Sequence, residues 1–142
     1  MFELAEDSAL ELDSYIELGQ LVVATSDDQI VGHLQLVETQ LGAEIKSMAV
    51  FVSHRRRGIG AALVAEAIQI ARAAHQSTLV VATAAADTDN LRFYQRQGFR
   101  IRSIERDAFT AAAGYDPEAK INGIPLRDRV WLDLSMDRAR NP

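Results

Sequence analysis

A continuous apolar run, TLVVATA at residues 78–84, most strongly limits how this chain can fold. It is rich in β-branched residues and lacks the alternation of a strand with one face in water, so we expect both of its faces to be buried. Helical patterns occupy residues 60–74 before it and residues 88–97 after it. A buried strand between two helices predicts an α/β fold with helices flanking a central sheet.

Further strands are predicted on either side of this core. Residues 20–24 and 30–37 are expected to form a hairpin around the polar turn TSDDQ, and residues 44–52, 99–106 and 128–136 complete the sheet. Hairpins pair antiparallel, whereas strand–helix–strand units need crossovers. The sheet is therefore expected to be mixed.

The second strand places its leucines and its polar residues on opposite faces. Leu34 and Leu36 fall on one side, and His33 and Gln35 fall on the other, because side chains alternate along a strand. We expect His33 to lie on the wetter face as a surface histidine.

A chain of 142 residues is long enough for one domain with a sizeable core and too short for two, so we expect a single domain over residues 1–142. Residues 7–19 are predicted to open it as a helix, with Asp7 or Ser8 as the N-cap and Gly19 as the stop. The longest apolar runs are about half as long as a bilayer span. No basic segment leads into an apolar one at the N-terminus. A cytoplasmic protein without a membrane partner is expected.

Composition excludes several classes of function. The chain has no cysteine, which removes disulfides, thiol catalysis and cysteine-ligated metals. Its three histidines are far apart in sequence and lack metal-ligand spacing, so no metal is expected. The net charge of -5 argues against a nucleic-acid partner, which would normally meet a basic surface.

Positive charge is nevertheless concentrated in the segment SHRRRGIGAAL, where three arginines and two glycines precede the helix at residues 60–74. The N–H groups at a helix N-terminus lack intrahelical partners, and the helix dipole is positive there. Glycine lets a phosphate approach the backbone, and arginine adds charge-assisted donors. The segment therefore predicts a phosphate site.

The spacing separates three kinds of phosphate loop. A P-loop needs Gly-Lys-Ser/Thr, but Gly60 is followed by two alanines. A dinucleotide fingerprint needs a third glycine, where this chain has Leu63. The pattern Arg55-x-x-Gly58-x-Gly60 instead resembles the acyl-CoA pyrophosphate loop of the GNAT superfamily of N-acetyltransferases.

Two further segments carry the same resemblance. AEIKSMAV, before the loop, is similar to the central strand of that family, and NLRFYQRQGFR, after it, closely resembles its Phe/Leu-Tyr-x-x-x-Gly-Phe segment. The resemblance covers roughly residues 21–106 and implies a GNAT-type fold. The family usually has a first strand before its helices, so the N-terminus here is expected to be abbreviated.

The resemblance implies acetyl-CoA as co-substrate and a set of residues that bind it. The backbone of the central strand would pair with the pantetheine arm, and the loop would hold the pyrophosphate. An asparagine seven residues before the tyrosine is common in the family, but Asp87 stands there in this chain. The cofactor-binding residues expected on this basis are Met48, Ala49, Val50, Arg55, Arg56, Arg57, Gly58, Ile59, Gly60, Ala61 and Asn90.

The same resemblance implies two catalytic residues for acetyl transfer to an amine. An alkylammonium must lose a proton before it can attack a thioester, and Glu44 matches the place where some family members hold a general base. Tyr94 matches the tyrosine that acts as general acid toward the departing thiolate. Otherwise Glu44 would be an exposed strand-edge carboxylate and Tyr94 a core aromatic. We expect direct attack in a ternary complex, with no acyl-enzyme.

The acceptor is expected to be a primary amine on a small molecule or a peptide. The segment 107–128 joins the last two strands, and long loops of this kind often shape binding sites. It carries Phe109 and Tyr115 together with Asp107, Asp116 and Glu118. The sequence also leaves open a homodimer and a catalytically silent domain that only binds acyl-CoA.

Overall fold

The computed structural model describes residues 19–40, 42–55 and 57–136. Within them lie two α-helices, eight strands and two short 3-10 helices at Val52–His54 and Ala111–Ala113. The helices are α1 (Ile59–Ala73) and α2 (Thr88–Arg96). The strands are β1 (Gln20–Ser26), β2 (Gln29–Thr39), β3 (Gly42–Val50), β4 (Thr78–Ala84), β5 (Arg100–Glu105), β6 (Lys120–Ile121), β7 (Ile124–Pro125) and β8 (Arg129–Ser135).

Six strands form one mixed sheet in the order β1-β2-β3-β4-β8-β5, as the α/β prediction required. Only β3 and β4 run parallel, and the other neighbours are antiparallel. β5 does not pair with β4 although α2 alone separates them in sequence. After β5 the chain returns through residues 106–128, and β8 enters antiparallel between β4 and β5. This segment thereby lies next to the middle of the sheet.

The main core lies between α1 and the sheet. The apolar side of α1 is buried at Leu63, Val64, Ala67 and Ala71, and Ile68 packs against this cluster. The opposing side chains come from neighbouring strands: Leu34, Leu36, Ile45, Leu79, Val81 and Leu132. Burying a side chain such as Leu63 contributes about 1.5–3 kcal/mol, so this layer fixes α1 against the sheet.

The second helix begins and ends where the sequence predicts. The Asp87 side chain accepts a hydrogen bond from the Asn90 N–H at 3.0 Å, which caps the first turn. Gly98 has φ 102°, a left-handed conformation that stops the helix at little cost. The rings of Tyr94 and Phe99 are buried in the core and pack edge-to-face, with their centres 5.6 Å apart. α2 is thus fixed by its caps at both ends and by the packing of its aromatic side chains.

Pairing between β3 and β4 covers only three residues. Ala43, Glu44 and Ile45 face Leu79, Val80 and Val81, and no pairing follows along these two strands. Just beyond this point the β2–β3 register passes from Leu36 opposite Ile45 to Gln35 opposite Ser47, so β3 contains one extra residue, a β-bulge. Bulges bend a strand and interrupt its ladder. The strands therefore separate into a V-shaped gap.

Several local predictions need correction. The third strand ends at Val50, and Val52–His54 is a 3-10 turn instead of more strand. His33 is buried, with its Nε2 and the Ser47 Oγ sharing a hydrogen bond of 3.1 Å, so the surface location was wrong. The loop 107–128 contains the β6–β7 hairpin, whose Asn-Gly turn has φ 48° at Asn122 and 82° at Gly123.

The predicted N-terminal helix and the abbreviated N-terminus lie outside the described residues, so both stay predictions. Across the described ranges, no helix is both long enough and apolar enough to span a bilayer.

Burial lowers the pKa of His33 to about 4, below its ordinary value of 6.5. The unfolded chain therefore binds a proton that the folded chain excludes as pH falls from 6.5 to about 4. The free energy of unfolding should have its full value above pH 6.5 and should fall by up to about 3 kcal/mol between pH 6.5 and about 4. Urea unfolding of the wild type and His33→Gln at several pH values measures this loss.

The unfolding free energy of His33→Gln should change less between pH 6.5 and 4 than that of the wild type. His75→Asn, at an exposed position, should show the wild-type pH dependence. Equal slopes for the wild type and His33→Gln would show that His33 does not govern acid sensitivity.

Candidate functional site

The gap between β3 and β4 opens into a cleft of about 1070 Å³. Its walls come from both strands, the loop before α1, the inner side of α2, the loop 107–128 and β8. Of the residues predicted from sequence, those that line it are Glu44, Met48, Ala49, Val50, Arg55, Gly58, Ile59, Gly60, Ala61, Asn90 and Tyr94. Arg57 is exposed and does not line the cleft. Arg56 lies outside the described residues.

The cleft connects the two faces of the sheet. Partners on neighbouring strands share a face, so the pairs Ala82–Trp131 and Ala84–Arg129 lie on one side, and Thr83 lies on the other. The Asn90 Nδ2 donates to the Thr83 Oγ1 at 3.4 Å, which places α2 on the Thr83 side. We call this side the helix face and the opposite side the open face. Ligands on the two faces can meet only through the gap.

The helix face presents a helix N-terminus to the cleft. Gly58 has φ 79°, and the first intrahelical bond runs from the Ala62 N–H to the Gly58 carbonyl at 3.0 Å. The N–H groups of Ile59, Gly60 and Ala61 therefore precede the helical ladder. They can donate to an anion, and the helix dipole favours one there.

Arg55 joins this turn to the end of β3. Its Nε donates to the Val50 carbonyl at 3.0 Å, while the side chain stays exposed at the mouth of the cleft. The guanidinium keeps donors on its terminal nitrogens. Two further residues with basic side chains, His54 and Arg96, also line the cleft, and no sequence pattern predicted this. Their positions depend on tertiary packing.

Gly60 has a packing reason as well as an electrostatic one. A Cβ at this position would lie 3.3 Å from the Cζ of Phe93 and 4.0 Å from the Cε of Met48. A side chain here would therefore project between α2 and β3, into the space where the gap begins. A methyl group needs a shift of a few tenths of an ångström, whereas a longer polar group would occupy the cleft.

Glu44 lies at the closed end of the gap, in the three residues where β3 still pairs with β4. It is buried, in contrast to an exposed strand-edge carboxylate, and its Oε2 lies 3.6 Å from the Nζ of Lys46. The partner Val80 is on the open face, because Val80 precedes Ala82 by two residues. Glu44 is thus a partly shielded carboxylate on the open face.

Tyr94 approaches the cleft from the helix face. Only 4% of it is exposed, and its ring packs edge-to-face with Phe93 and Phe99 at 5.1 and 5.6 Å. Burial raises the pKa of its phenol, and the negative charge of Asp87 raises it further. The hydroxyl is consequently protonated at neutral pH. It can act as a donor and a source of a proton.

Asp87 and Asn90 both line the cleft, but each is also used within the fold. The Asp87 carboxylate caps α2, and the Asn90 amide donates to Thr83 across the helix–sheet junction. Asn90 is therefore a link between α2 and β4. Its carbonyl oxygen is the part that can face a ligand.

An aromatic cluster closes the open face. The rings of Phe109 and Tyr115 meet edge-to-face at 4.9 Å, and the Arg129 guanidinium lies 4.8 Å from the centre of the Phe109 ring. Trp131 lies on the same face as Arg129. Phe109 and Tyr115 belong to the loop that was predicted to shape a binding site, whereas no sequence pattern indicated Arg129 and Trp131, which lie within the last predicted strand.

The loop carboxylates do not line the cleft. Asp107, Asp116 and Glu118 are exposed, and the Asp116 Oδ1 accepts from the Glu118 N–H at 2.9 Å in a local turn. The carboxylates that do line it are Glu44, Asp87 and Asp89. Within the described ranges, no three histidine or carboxylate side chains are grouped so that they could hold a metal ion.

Comparison with known proteins agrees with this geometry. The sequence model of the Acetyltransferase (GNAT) family matches residues 2–99. The chain belongs to the GNAT family. The resemblance inferred from the loop and the Tyr-containing segment is thereby confirmed.

Relatives of this GNAT chain extend over most of its length. It is 35% identical over 134 residues to a Bacillus subtilis strain 168 protein named "Uncharacterized N-acetyltransferase YvbK", covering 92% of this chain and 85% of that protein. A Bacillus subtilis acetyltransferase in complex with CoA has a TM-score of 0.86 and 34% identity, with 95% and 88% of the two chains covered. A GNAT family acetyltransferase from Elizabethkingia anophelis with acetyl-CoA bound has a TM-score of 0.87 and 30% identity, and again 95% and 88% of the two chains are covered.

Gly60→Asp should abolish measurable CoA binding, whereas Gly60→Ala should bind nearly as well as the wild type. The aspartate would place a negative charge beside the N–H groups that face the cleft, and losing charge-assisted bonds costs about 1.5–3 kcal/mol each. An acidic residue in the first turn suits the helix dipole, so folding should be retained. Calorimetric titration with CoA, together with thermal unfolding, measures both effects.

If CoA bound Gly60→Asp as tightly as it binds the wild type, the start of α1 would not be the phosphate site.

Proposed function

We propose that this GNAT chain is an N-acetyltransferase that moves the acetyl group of acetyl-CoA to a primary amine by direct attack in a ternary complex. The observation that carries the proposal is the V-shaped gap. It brings Tyr94 on the helix face and Glu44 on the open face to the two sides of one passage.

The donor would occupy the helix face of the cleft. Its pyrophosphate would accept from the N–H groups at Gly58–Ala61, and Arg55 would add a cationic donor at the mouth. The pantetheine arm would run along Met48–Val50, where the diverging strands leave β3 without its parallel neighbour. The extra residue in β3 re-aims the backbone at the inner end, where an N–H can stabilise the developing oxyanion.

The acceptor amine would reach the thioester from the open face. An alkylammonium is protonated at pH 7, and removing its proton costs roughly 4–5 kcal/mol. Glu44, directly or through water, would take that proton, and Lys46 at 3.6 Å would hold its carboxylate in place. Positioning of amine and thioester in one complex would supply much of the remaining acceleration.

Tyr94 would complete the transfer. The amine nitrogen forms a bond to the acetyl carbon, the carbon–sulfur bond breaks, and the phenol donates its proton to the departing thiolate. The acetylated nitrogen loses its extra proton through water, and that proton restores the phenol. The raised pKa of the phenol keeps that proton in place until the sulfur acquires charge. The ring contacts with Phe93 and Phe99 fix its direction. The single domain, the cytoplasmic location and a homodimer stay predictions beside this proposal.

Tyr94→Phe should lower kcat by about a hundredfold, the lower range for loss of a general acid. The affinity for CoA should hardly change, because the ring and its packing are retained. Stopped-assay measurement of CoA release, together with titration by CoA, separates the two quantities. An unchanged kcat would leave Tyr94 as a packing residue.

Glu44→Gln should lower kcat/KM by about a hundredfold or more for an alkylamine. An arylamine is already neutral at pH 7, so its rate should fall much less. Glu38→Gln, an exposed position on the neighbouring strand, is the matched control and should not alter either rate. An equal loss for both amines would mean that Glu44 supports structure and does not remove the amine proton.

The catalytically silent alternative predicts a different set of results. The wild-type protein would be stabilised by acetyl-CoA but would release no CoA with any amine. Release of CoA with formation of the acetylated amine would exclude that alternative.

A further inference from the structure

Arg129 is a cationic side chain on the wall of the open face. It comes from the start of β8, it lines the cleft, and its guanidinium lies 4.8 Å from the centre of the Phe109 ring. The edge-to-face contact between Phe109 and Tyr115 supports that ring from behind. A planar guanidinium stacked on an aromatic ring presents its N–H groups along its edge, in the geometry that matches a carboxylate.

Glu105 holds this guanidinium from outside the cleft. The Arg129 Nη1 donates to the Glu105 Oε1 at 3.4 Å, and the Trp131 Nε1 donates to the same oxygen at 3.2 Å. The Glu105 side chain is 48% exposed and is not part of the cleft wall. Among the described residues, this bond uses one of the five N–H donors of Arg129. The contact with the Phe109 ring fixes the orientation of the N–H groups that remain unused.

Arg129 keeps donors for an anionic ligand group although Glu105 pairs with it. Lys46, at the catalytic end of the cleft, pairs with Glu44. Glu105 lies opposite Arg129 on the adjacent strand β5 and offsets part of its charge. The N–H donors of Arg129 that this pair leaves unused can meet a ligand carboxylate.

The register sets the separation between Arg129 and the catalytic end. β3 and β4 part after Val81, and Arg129 pairs with Ala84, three residues farther along β4. At about 3.3 Å per residue this is roughly 10 Å along the strand. The Arg129 side chain is long enough to reach back over part of that distance. Trp131, opposite Ala82, lies between the two ends, and Phe109 and Tyr115 add apolar surface to the same cleft.

We propose that the acceptor is an amino carboxylate with an apolar body, whose carboxylate binds Arg129 while its amine points through the gap toward Glu44. This rests on the proposed acetyl transfer, which it deepens by naming the class of acceptor. The aromatic cluster takes the apolar body, and the guanidinium selects for the anionic end. Arg129 is then a specificity residue.

The test compares each amino carboxylate with the amine that lacks only the carboxylate. Two pairs cover short and long spacings: phenylalanine with 2-phenylethylamine, and 6-aminohexanoate with hexylamine. The wild type should prefer the carboxylate member of at least one pair by tenfold or more in kcat/KM, which corresponds to about 1.4 kcal/mol. Arg129→Gln should remove that preference while still acetylating the uncharged-end amine.

Three further variants separate recognition from support of the loop. Arg127→Gln makes the same charge change at an exposed neighbour and should keep the preference. Glu105→Gln removes the external partner of Arg129 and should also keep it, whereas a purely structural tether would fail in both Glu105→Gln and Arg129→Gln. Arg129→Lys keeps the charge without the planar fork and should retain a reduced preference. Its retained rate with hexylamine confirms a folded enzyme.

Equal rates within both pairs, or a preference that survives in Arg129→Gln, would overturn the inference and leave acetyl transfer intact. If no amine releases CoA, the proposed function fails, and the inference is then judged by binding alone. Phenylalanine or 6-aminohexanoate should raise the melting temperature of the CoA complex in the wild type and not in Arg129→Gln. Equal shifts in melting temperature for the wild type and Arg129→Gln would overturn the inference.

Discussion

The short pairing of β3 with β4 is the constraint on which the rest of the site depends. Three residue pairs hold the strands together, and a β-bulge in β3 follows at once. A continuous ladder would close the sheet and separate its two faces. Because the ladder stops, the backbone of Met48–Val50 and the walls of β4 face a common space.

Different physical effects act on the two sides of that space. On the helix face, a left-handed glycine starts α1 so that its first N–H groups and its dipole are directed at the cleft, which suits phosphate. On the open face, a shielded carboxylate at Glu44 and an arginine stacked on Phe109 lie along one wall. An acidic protein can thus bind an anionic donor locally, since the net charge of -5 belongs to the whole chain and does not fix the charge at one loop.

Sequence patterns predicted the parts that local chemistry determines. The strand at Thr78–Ala84 follows from a continuous run of apolar and β-branched residues. The two helical patterns place α1 and α2 within one residue of their bounds in the structure. The family could be predicted because the loop and the Tyr-containing segment have fixed spacings. The roles of Glu44 and Tyr94 stay proposals.

Tertiary pairing decided what the sequence could not show. His33 was expected at the surface, but its strand is covered on both faces and Ser47 on the adjacent strand meets its ring. Arg129 and Trp131 lie on the cleft because the return of the chain places β8 beside β4, a pairing that no local pattern indicates. The β6–β7 hairpin, by contrast, has a local sequence signal in the Asn-Gly pair that begins at Asn122, although the segment was predicted to be one long loop.

The most direct test of the central claim is a crystal structure of the complex with a non-transferable thioether analogue of acetyl-CoA. We predict the pyrophosphate on the N–H groups of Gly58–Ala61, the pantetheine arm between β3 and β4, and the sulfur within hydrogen-bond reach of the Tyr94 hydroxyl. A cofactor bound outside the gap, or a sulfur remote from Tyr94, would contradict it.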